Sequence, residues 1–189
     1  MTLLDSLYAQ GLRAVREPRA AAADILALGV PREVVLPALV LVAILNVLLD
    51  TALFAAIPDI EITSAPLRSL VFYLAVASAF AFVLTFVGKW FEGVGNFEDA
   101  LLLTVVLQAM MLPATAIQVA LAFVSPDLAV LFLFVVVLFI VWIQINFVAA
   151  LHGFSTLGRA VAVTLIASFI VYFIASPFMA GPTPSAADV

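Results

Sequence analysis

Cysteine is absent from this sequence, histidine and lysine occur once each, and charged residues make up only 10% of the 189 residues. The lack of cysteine excludes disulfides, thiolate metal sites and cysteine nucleophiles. The seven basic residues are spread along a chain of net charge -5, so no basic surface for nucleic acid is present. We therefore expect no nucleic-acid partner and, since no cofactor or metal motif stands out, no cofactor.

Apolar residues dominate what is present. They account for 67% of the chain, whereas typical globular domains are about half apolar. A soluble protein of this length could not bury so much apolar surface, so hydrocarbon must be the solvent for most of it. The composition predicts one compact integral membrane domain.

Five apolar stretches are long enough to span a bilayer as helices, which takes roughly 20 residues each. They cover residues 34–57, 66–88, 97–124, 128–151 and 155–177. Asn96 is a good N-cap for the third span, with Asp99 three residues on, and Pro113 is expected to kink that span. The predicted fold is all-α, with a five-span membrane domain over residues 34–178 and a disordered tail over residues 179–189.

The segment before the first span, residues 1–33, is predicted to form two short amphipathic helices. Apolar residues recur at helical spacing over residues 2–16. Pro18 breaks that helix, and a second one over residues 19–28 ends at Gly29. Both are too short and too charged to span, so we expect them to lie at the cytoplasmic surface of the membrane. The alternative is a pair of soluble helices packed on the loops.

Basic residues predict the orientation of the bundle. Six of the seven fall in the N-terminal segment and in the second and fourth breaks between spans, which share one side of the membrane, and only Arg68 falls on the other side. Because positive residues stay on the cytoplasmic side, the N-terminus is predicted inside and the C-terminus outside. The richness in Arg, Ala, Leu and Val is typical of a GC-rich bacterial genome, so a bacterial inner membrane is the expected location.

Six amide or carboxyl side chains interrupt the spans and form a candidate intramembrane polar layer. They are Asn46, Asp50, Gln108, Gln118, Gln144 and Asn146. A carboxylate in hydrocarbon is costly and usually faces the bundle interior, and Gln118 lies at a depth similar to that of Asp50. Two interpretations stay open: a pathway for a proton, ion or small solute, or interhelical hydrogen bonds that brace the bundle at about 0.6–2 kcal/mol each. The second is favoured.

Two features resemble catalytic motifs only in part. His152 and Ser155 suggest a hydrolase pair, but no Gly-x-Ser-x-Gly elbow is present, and a capping or interfacial role at the water boundary is favoured. Gly93 and Gly95 suggest a phosphate loop, but no Gly-Lys-Ser/Thr follows, so a flexible turn in a cytoplasmic loop is predicted. The sequence thus predicts a protein that is not an enzyme.

Four short motifs occur in a fixed order along the chain. They are Glu17-Pro18-Arg19, the Gly-x-Gly-x-Phe loop of Gly93, Gly95 and Phe97, the intraspan Pro113, and the His-Gly-Phe-Ser-x-x-x-Arg-Ala join from His152 to Ala160. In this order, and with five spans, they resemble the Yip family, the Ypt-interacting proteins and their bacterial relatives. The likeness covers residues 15–178.

The resemblance implies a non-enzymatic membrane-organising or trafficking-like scaffold. Eukaryotic members associate with Rab-type GTPases through a long cytoplasmic extension, which about 33 residues before the first span do not provide, so no Rab-type GTPase is expected in a bacterial host. The expected partners are the lipid bilayer and another membrane protein or a second copy of the chain. The alternative function is a small-solute or ion transporter that uses the polar layer around Asp50.

Overall fold

The structure is a computed structural model that describes residues 15–57 and 65–179, and within these ranges the chain forms six α-helices. In chain order they are α1 (Pro18–Ala27), α2 (Arg32–Ala56), α3 (Pro66–Trp90), α4 (Phe97–Val124), α5 (Pro126–His152) and α6 (Leu157–Met179). The predicted helix over residues 2–16 and the predicted tail lie largely outside the described residues.

Helices α2 to α6 are each long and apolar enough to cross a bilayer. This confirms the predicted all-α fold with five spans. The bounds agree within about two residues, the clearest difference being that α6 begins at Leu157 rather than at residue 155. The reason is local, because Gly153 and Phe154 still close the end of α5 before the next helix begins.

The helix ends follow the chemistry that the sequence predicts. The Asn96 side chain accepts the Asp99 N–H at 2.9 Å and donates to the Asp99 carboxylate at 2.7 Å, which fixes the start of α4. Gly29 follows α1 with a φ of 57°, a conformation that glycine adopts without steric cost. Helix α4 continues through Pro113, which lies on an exposed face.

Two apolar cores hold the bundle together. The larger one joins α1, α2, α4 and α5 with Ala77 and Ala81 of α3, and the other joins α3, α5 and α6. Small residues are buried on two of these helices, Ala77 and Ala81 on α3 and Ala160 and Ala167 on α6. Such residues let helix backbones approach closely inside a membrane, where packing rather than water drives association.

Helix α1 packs on the bundle through small side chains. Ala21 and Ala22 are buried, and α1 contacts α5 extensively and α4 to a lesser extent. One face of α1 is therefore covered by protein. The location of the N-terminal segment at the membrane surface stays a prediction.

Helix α5 divides into a packed half and an exposed half. Its last turns, from Ile143 to His152, contain most of its buried residues, whereas no side chain from Val130 to Trp142 is buried. The exposed half is uniformly apolar, as a surface in contact with lipid tails must be.

Candidate functional site

The connection between α3 and α4 (residues 91–96) and the connection between α5 and α6 (residues 153–156) meet at His152, and we call this end of the bundle the histidine end. The Val94 N–H donates to the His152 carbonyl at 3.3 Å. The Gly95 N–H donates to Nδ1 of the His152 imidazole, also at 3.3 Å. Backbone and side chain of one residue thus join two connections that are far apart in sequence.

The imidazole of His152 is enclosed by three glycines. Its side chain is only 1% exposed. A Cβ placed on Gly93 would lie 2.5 Å from Nδ1, one on Gly95 would lie 2.8 Å from the ring, and one on Gly88 would be closer still. Real Cβ atoms do not approach other atoms so closely, so only glycine fits at these three positions. We call Gly88, Gly93 and Gly95 the glycine socket.

Two expectations from the sequence change at this site. His152 is buried rather than placed at the water boundary, because the glycine socket leaves the space that larger residues would fill. The turn containing Gly93 and Gly95 is in contact with the ring rather than free. Ser155 is exposed and forms no hydrogen bond to His152 among the described contacts, so the two do not form a hydrolase pair.

Hydrogen bonding determines the form of the imidazole. Because Nδ1 accepts from the Gly95 N–H, the proton of the neutral ring lies on Nε2. Nε2 is buried, and no acceptor within the described residues meets hydrogen-bond geometry there, although the Leu84 carbonyl is close enough to interact with the ring. The ring also stacks on Phe154, with 5.2 Å between centroids. These contacts favour a structural role for His152.

Both helices that end here close with the same backbone motif. At the end of α5, Gly153 has a φ of 66° and Phe154 donates its N–H to the Ala149 carbonyl at 3.0 Å. At the end of α3, Glu92 has a φ of 65° and Gly93 donates its N–H to the Gly88 carbonyl at 2.9 Å. These are Schellman closures, and the one at Glu92 places a side chain where glycine is usual, at a steric cost of roughly 1–2 kcal/mol.

The Glu92 side chain forms an ion pair with Arg159 on α6, with 3.1 Å between Nη1 and Oε2. Both side chains are well exposed, so the pair contributes about 0–1 kcal/mol. The Arg159 guanidinium also donates to the Phe91 carbonyl at 3.4 Å. Arg159 therefore links the start of α6 to the connection that follows α3.

Helix α1 is attached to the same end by Arg19. Its guanidinium donates a hydrogen bond to the Phe154 carbonyl, immediately after the turn at Gly153. A charge-assisted bond of this kind is stronger than a neutral one. The N-terminal segment, the two connections and the start of α6 therefore form one connected structure.

Asp50 bonds to Tyr73 rather than to the predicted Gln118. The Tyr73 hydroxyl on α3 donates to Oδ2 of Asp50 on α2. Asp50 lies six residues before the end of α2, and Tyr73 lies seven residues after the start of α3. Each is therefore about 10 Å along its helix from the connection between α2 and α3. Tyr73 was not predicted as a partner of Asp50, although its equal depth is a signal that the sequence carries.

The other members of the polar layer do not bond to one another among the described residues. Asn46 donates to the Val42 carbonyl at 2.9 Å and Asn146 to the Trp142 carbonyl at 2.8 Å, each within its own helix. Oε1 of Gln108 is buried and has no donor within residues 15–57 and 65–179. Gln118 is half-buried, and Gln144 lines a cavity of about 10 Å³, room for one water at most. The structure does not bring the six predicted residues together.

A comparison with protein-family models matches residues 12–176 to the Yip1 domain. The chain belongs to the Yip1 domain family. Searches of curated proteins and of solved structures returned no match.

The Yip1 domain match agrees with the resemblance, and three of the four motifs behind it meet at the histidine end. Arg19 of the first bonds to Phe154 of the last, while the loop of Gly93 and Gly95 surrounds His152. Phe97 packs partly buried against the larger core. The remaining motif, Pro113, lies in the middle of α4 and away from this end.

No group of three or more His, Cys, Asp or Glu side chains that could hold a metal ion occurs in the part of the Yip1 domain that the structure describes. At the histidine end, hydrogen bonds and packing around His152 fix the backbone of the two connections. The exposed groups of this end, which include Lys89, Glu92, Val94 and Arg159, are held on that backbone.

Proposed function

We propose that this Yip1-domain protein is a non-enzymatic membrane-organising scaffold that docks another membrane protein at the histidine end. The observation that carries the proposal is the glycine socket, which fixes two connections around a buried ring. A fixed surface loses little entropy on binding. Val94, at the tip of the first connection, is 80% exposed and offers an apolar contact beside the charged side chains of Lys89 and Arg159.

The same contacts support the proposal that the protein has no enzymatic activity. His152 is the only histidine, and its two ring nitrogens are buried, one of them accepting a backbone N–H. A general base must reach the proton that it removes. A ring enclosed by glycine backbone has no such access.

We further propose that the protein lies in a bacterial inner membrane with the histidine end on the cytoplasmic side. Arg19, Lys89 and Arg159 lie at this end, whereas Arg68 donates to the Phe178 carbonyl, 2.9 Å away, at the opposite end. The distribution follows the positive-inside rule.

The transporter alternative receives no support from the polar side chains. The Asp50 carboxylate is bonded to Tyr73, and Asn46 and Asn146 bond to their own helices. Proteoliposomes that contain the protein should therefore hold a pH gradient as long as empty vesicles do. Dissipation by the wild type, but not by an Asp50→Asn variant, would contradict the scaffold proposal.

Co-purification from native membranes in mild detergent tests the docking face. We expect a reproducible partner with the wild type that is lost in Val94→Glu, because a carboxylate would replace the exposed apolar contact. Val124→Glu is the matched control, since Val124 is 79% exposed at the opposite end. Retention of the partner by Val94→Glu, or equal loss in both variants, would contradict docking at the histidine end.

A further inference from the structure

An open groove of about 530 Å³ lies between residues 16–23 and the part of α5 where its packed and exposed halves meet. Arg16, Glu17 and Arg19 line it from the N-terminal side, and Trp142 and Asn146 line it from α5. Asn146 lies six residues and Trp142 ten residues before the end of α5, so they are about 9 and 15 Å from that end. The groove thus runs from the level of the histidine end toward the level of the lipid tails.

The polar part of the groove fits an anion. The groove is lined by two residues with guanidinium groups and one with a carboxylate, namely Arg16, Arg19 and Glu17. Arg19 uses one N–H for the Phe154 carbonyl, and its planar fork has further donors. The side chain of Asn146 is buried and uses Nδ2 for the Trp142 carbonyl, which leaves a second amide N–H. Guanidinium and amide donors at one place are the groups that bind phosphate.

An apolar stripe continues from the groove along α5. Trp142, Leu138, Val135 and Leu131 follow Asn146 at intervals of three and four residues, so they share one face of the helix. All four are exposed, and they belong to the half of α5 that has no buried side chain. A free phosphate would make no contact with this apolar stripe, whereas the acyl chain of a lipid would cover it.

We infer that the groove binds an anionic phospholipid, with the phosphate between Arg16, Arg19 and Asn146 and an acyl chain along the stripe on α5. Basic pockets at the cytoplasmic ends of spanning helices bind anionic lipid head groups in this way. The bound lipid joins α1 to α5 through its head group. The inference does not depend on the scaffold proposal, because it concerns a different face of the molecule.

Tryptophan quenching tests the site directly. The chain has two tryptophans, so Trp90→Phe leaves Trp142 as the single reporter. This variant is reconstituted into phosphatidylcholine vesicles that contain increasing fractions of phosphatidylglycerol with brominated chains, or of phosphatidylcholine with the same chains. We expect the brominated phosphatidylglycerol to quench Trp142 at a fraction about fivefold lower. Equal quenching by the two lipids would overturn the inference.

Two variants and one control separate this site from general surface charge. In the same background, Arg16→Gln removes a donor and Ala23→Glu adds a carboxylate to the groove, and both positions are exposed, so folding is retained. Each should remove the preference for the anionic lipid. Arg32→Gln loses the same charge from an exposed position outside the groove and should keep the preference. An equal loss in Arg16→Gln and Arg32→Gln would overturn the inference.

A soluble anion tests the source of the phosphate. Inorganic phosphate at about 10 mM should leave the quenching by phosphatidylglycerol unchanged, because it cannot cover the stripe at Leu138 and Leu131. Relief of quenching by phosphate, with circular dichroism showing an intact fold, would mean that the head-group anion alone is recognised, and it would overturn the placement of the acyl chain on the stripe.

Discussion

The contact between Gly88 and the His152 ring leaves no room for a side chain, and it gives a prediction at the scale of single residues. Gly88→Ala should lower the thermal stability in detergent by about 1–3 kcal/mol, the usual cost of overpacking, because the added methyl group would overlap the imidazole. Gly158→Ala is the control. Gly158 lies in α6 with open space around it, so alanine there should be neutral or stabilising by up to about 1 kcal/mol.

Removing the ring tells overlap apart from a simple preference for glycine. His152→Ala alone should destabilise by leaving a cavity, but Gly88→Ala should cost less in that background than in the wild type. Equal costs in both backgrounds would show that the methyl group does not meet His152.

The bond between Tyr73 and Asp50 gives a second prediction. Asp50→Asn keeps an acceptor for the Tyr73 hydroxyl and should leave stability nearly unchanged, whereas Asp50→Leu or Tyr73→Phe should each lower it by about 1 kcal/mol. A double-mutant cycle of Asp50→Leu and Tyr73→Phe, followed by thermal unfolding in detergent, measures the coupling. Strictly additive effects would mean that the bond does not brace the bundle.

Residue pairs were the least predictable part of the site. The sequence showed that Asp50 needs a partner, but Gln118 matches it only in depth, and depth does not fix which faces of two helices meet. Gly93 and Gly95 indicated a turn, and nothing in the sequence showed that His152, which bonds to Gly95 from 57 residues away, would fill the space beside them.

At the scale of elements, the position of α1 against the bundle can be tested with single cysteines, since the chain has none of its own. Ala22 is 0% exposed, whereas Ala27 on the same helix is exposed. A membrane-impermeant maleimide should label Ala27→Cys and leave Ala22→Cys unmodified in vesicles that expose this face. Equal labelling of the two would show that α1 is not docked on α4 and α5.

Span bounds were more predictable than docking. Long apolar runs bounded by prolines, and the Asn96 cap, determine where α2 to α5 begin and end because these signals are local. The docking face of α1 consists of the buried Pro18, Ala21 and Ala22, with Ile25 and Leu26 packed against the core. An apolar face on a short helix fits lipid as well as protein, so the sequence indicated a surface helix and not the protein surface that covers it.

At the scale of the whole molecule, the described residues contain five helices long and apolar enough to span, an odd number, so the proposed topology places Met1 and Val189 on opposite sides of the membrane. With the histidine end in the cytoplasm, a reporter active only outside the inner membrane should be active when fused after Val189 and silent when inserted between Gly93 and Gly95. The opposite pattern would reverse the proposed orientation. Activity at both positions would contradict an odd number of spans.

The glycine socket also has a consequence for the time course of synthesis. The hydrogen bond between Gly95 and His152 cannot form until 57 further residues have been synthesised, and the one between Arg19 and Phe154 requires 135 further residues. At about 5–20 residues per second, these delays are roughly 3–11 s and 7–27 s. The first spans therefore remain in the bilayer with an unfilled socket until the fourth is made, and a chain that stops before residue 152 never fills it.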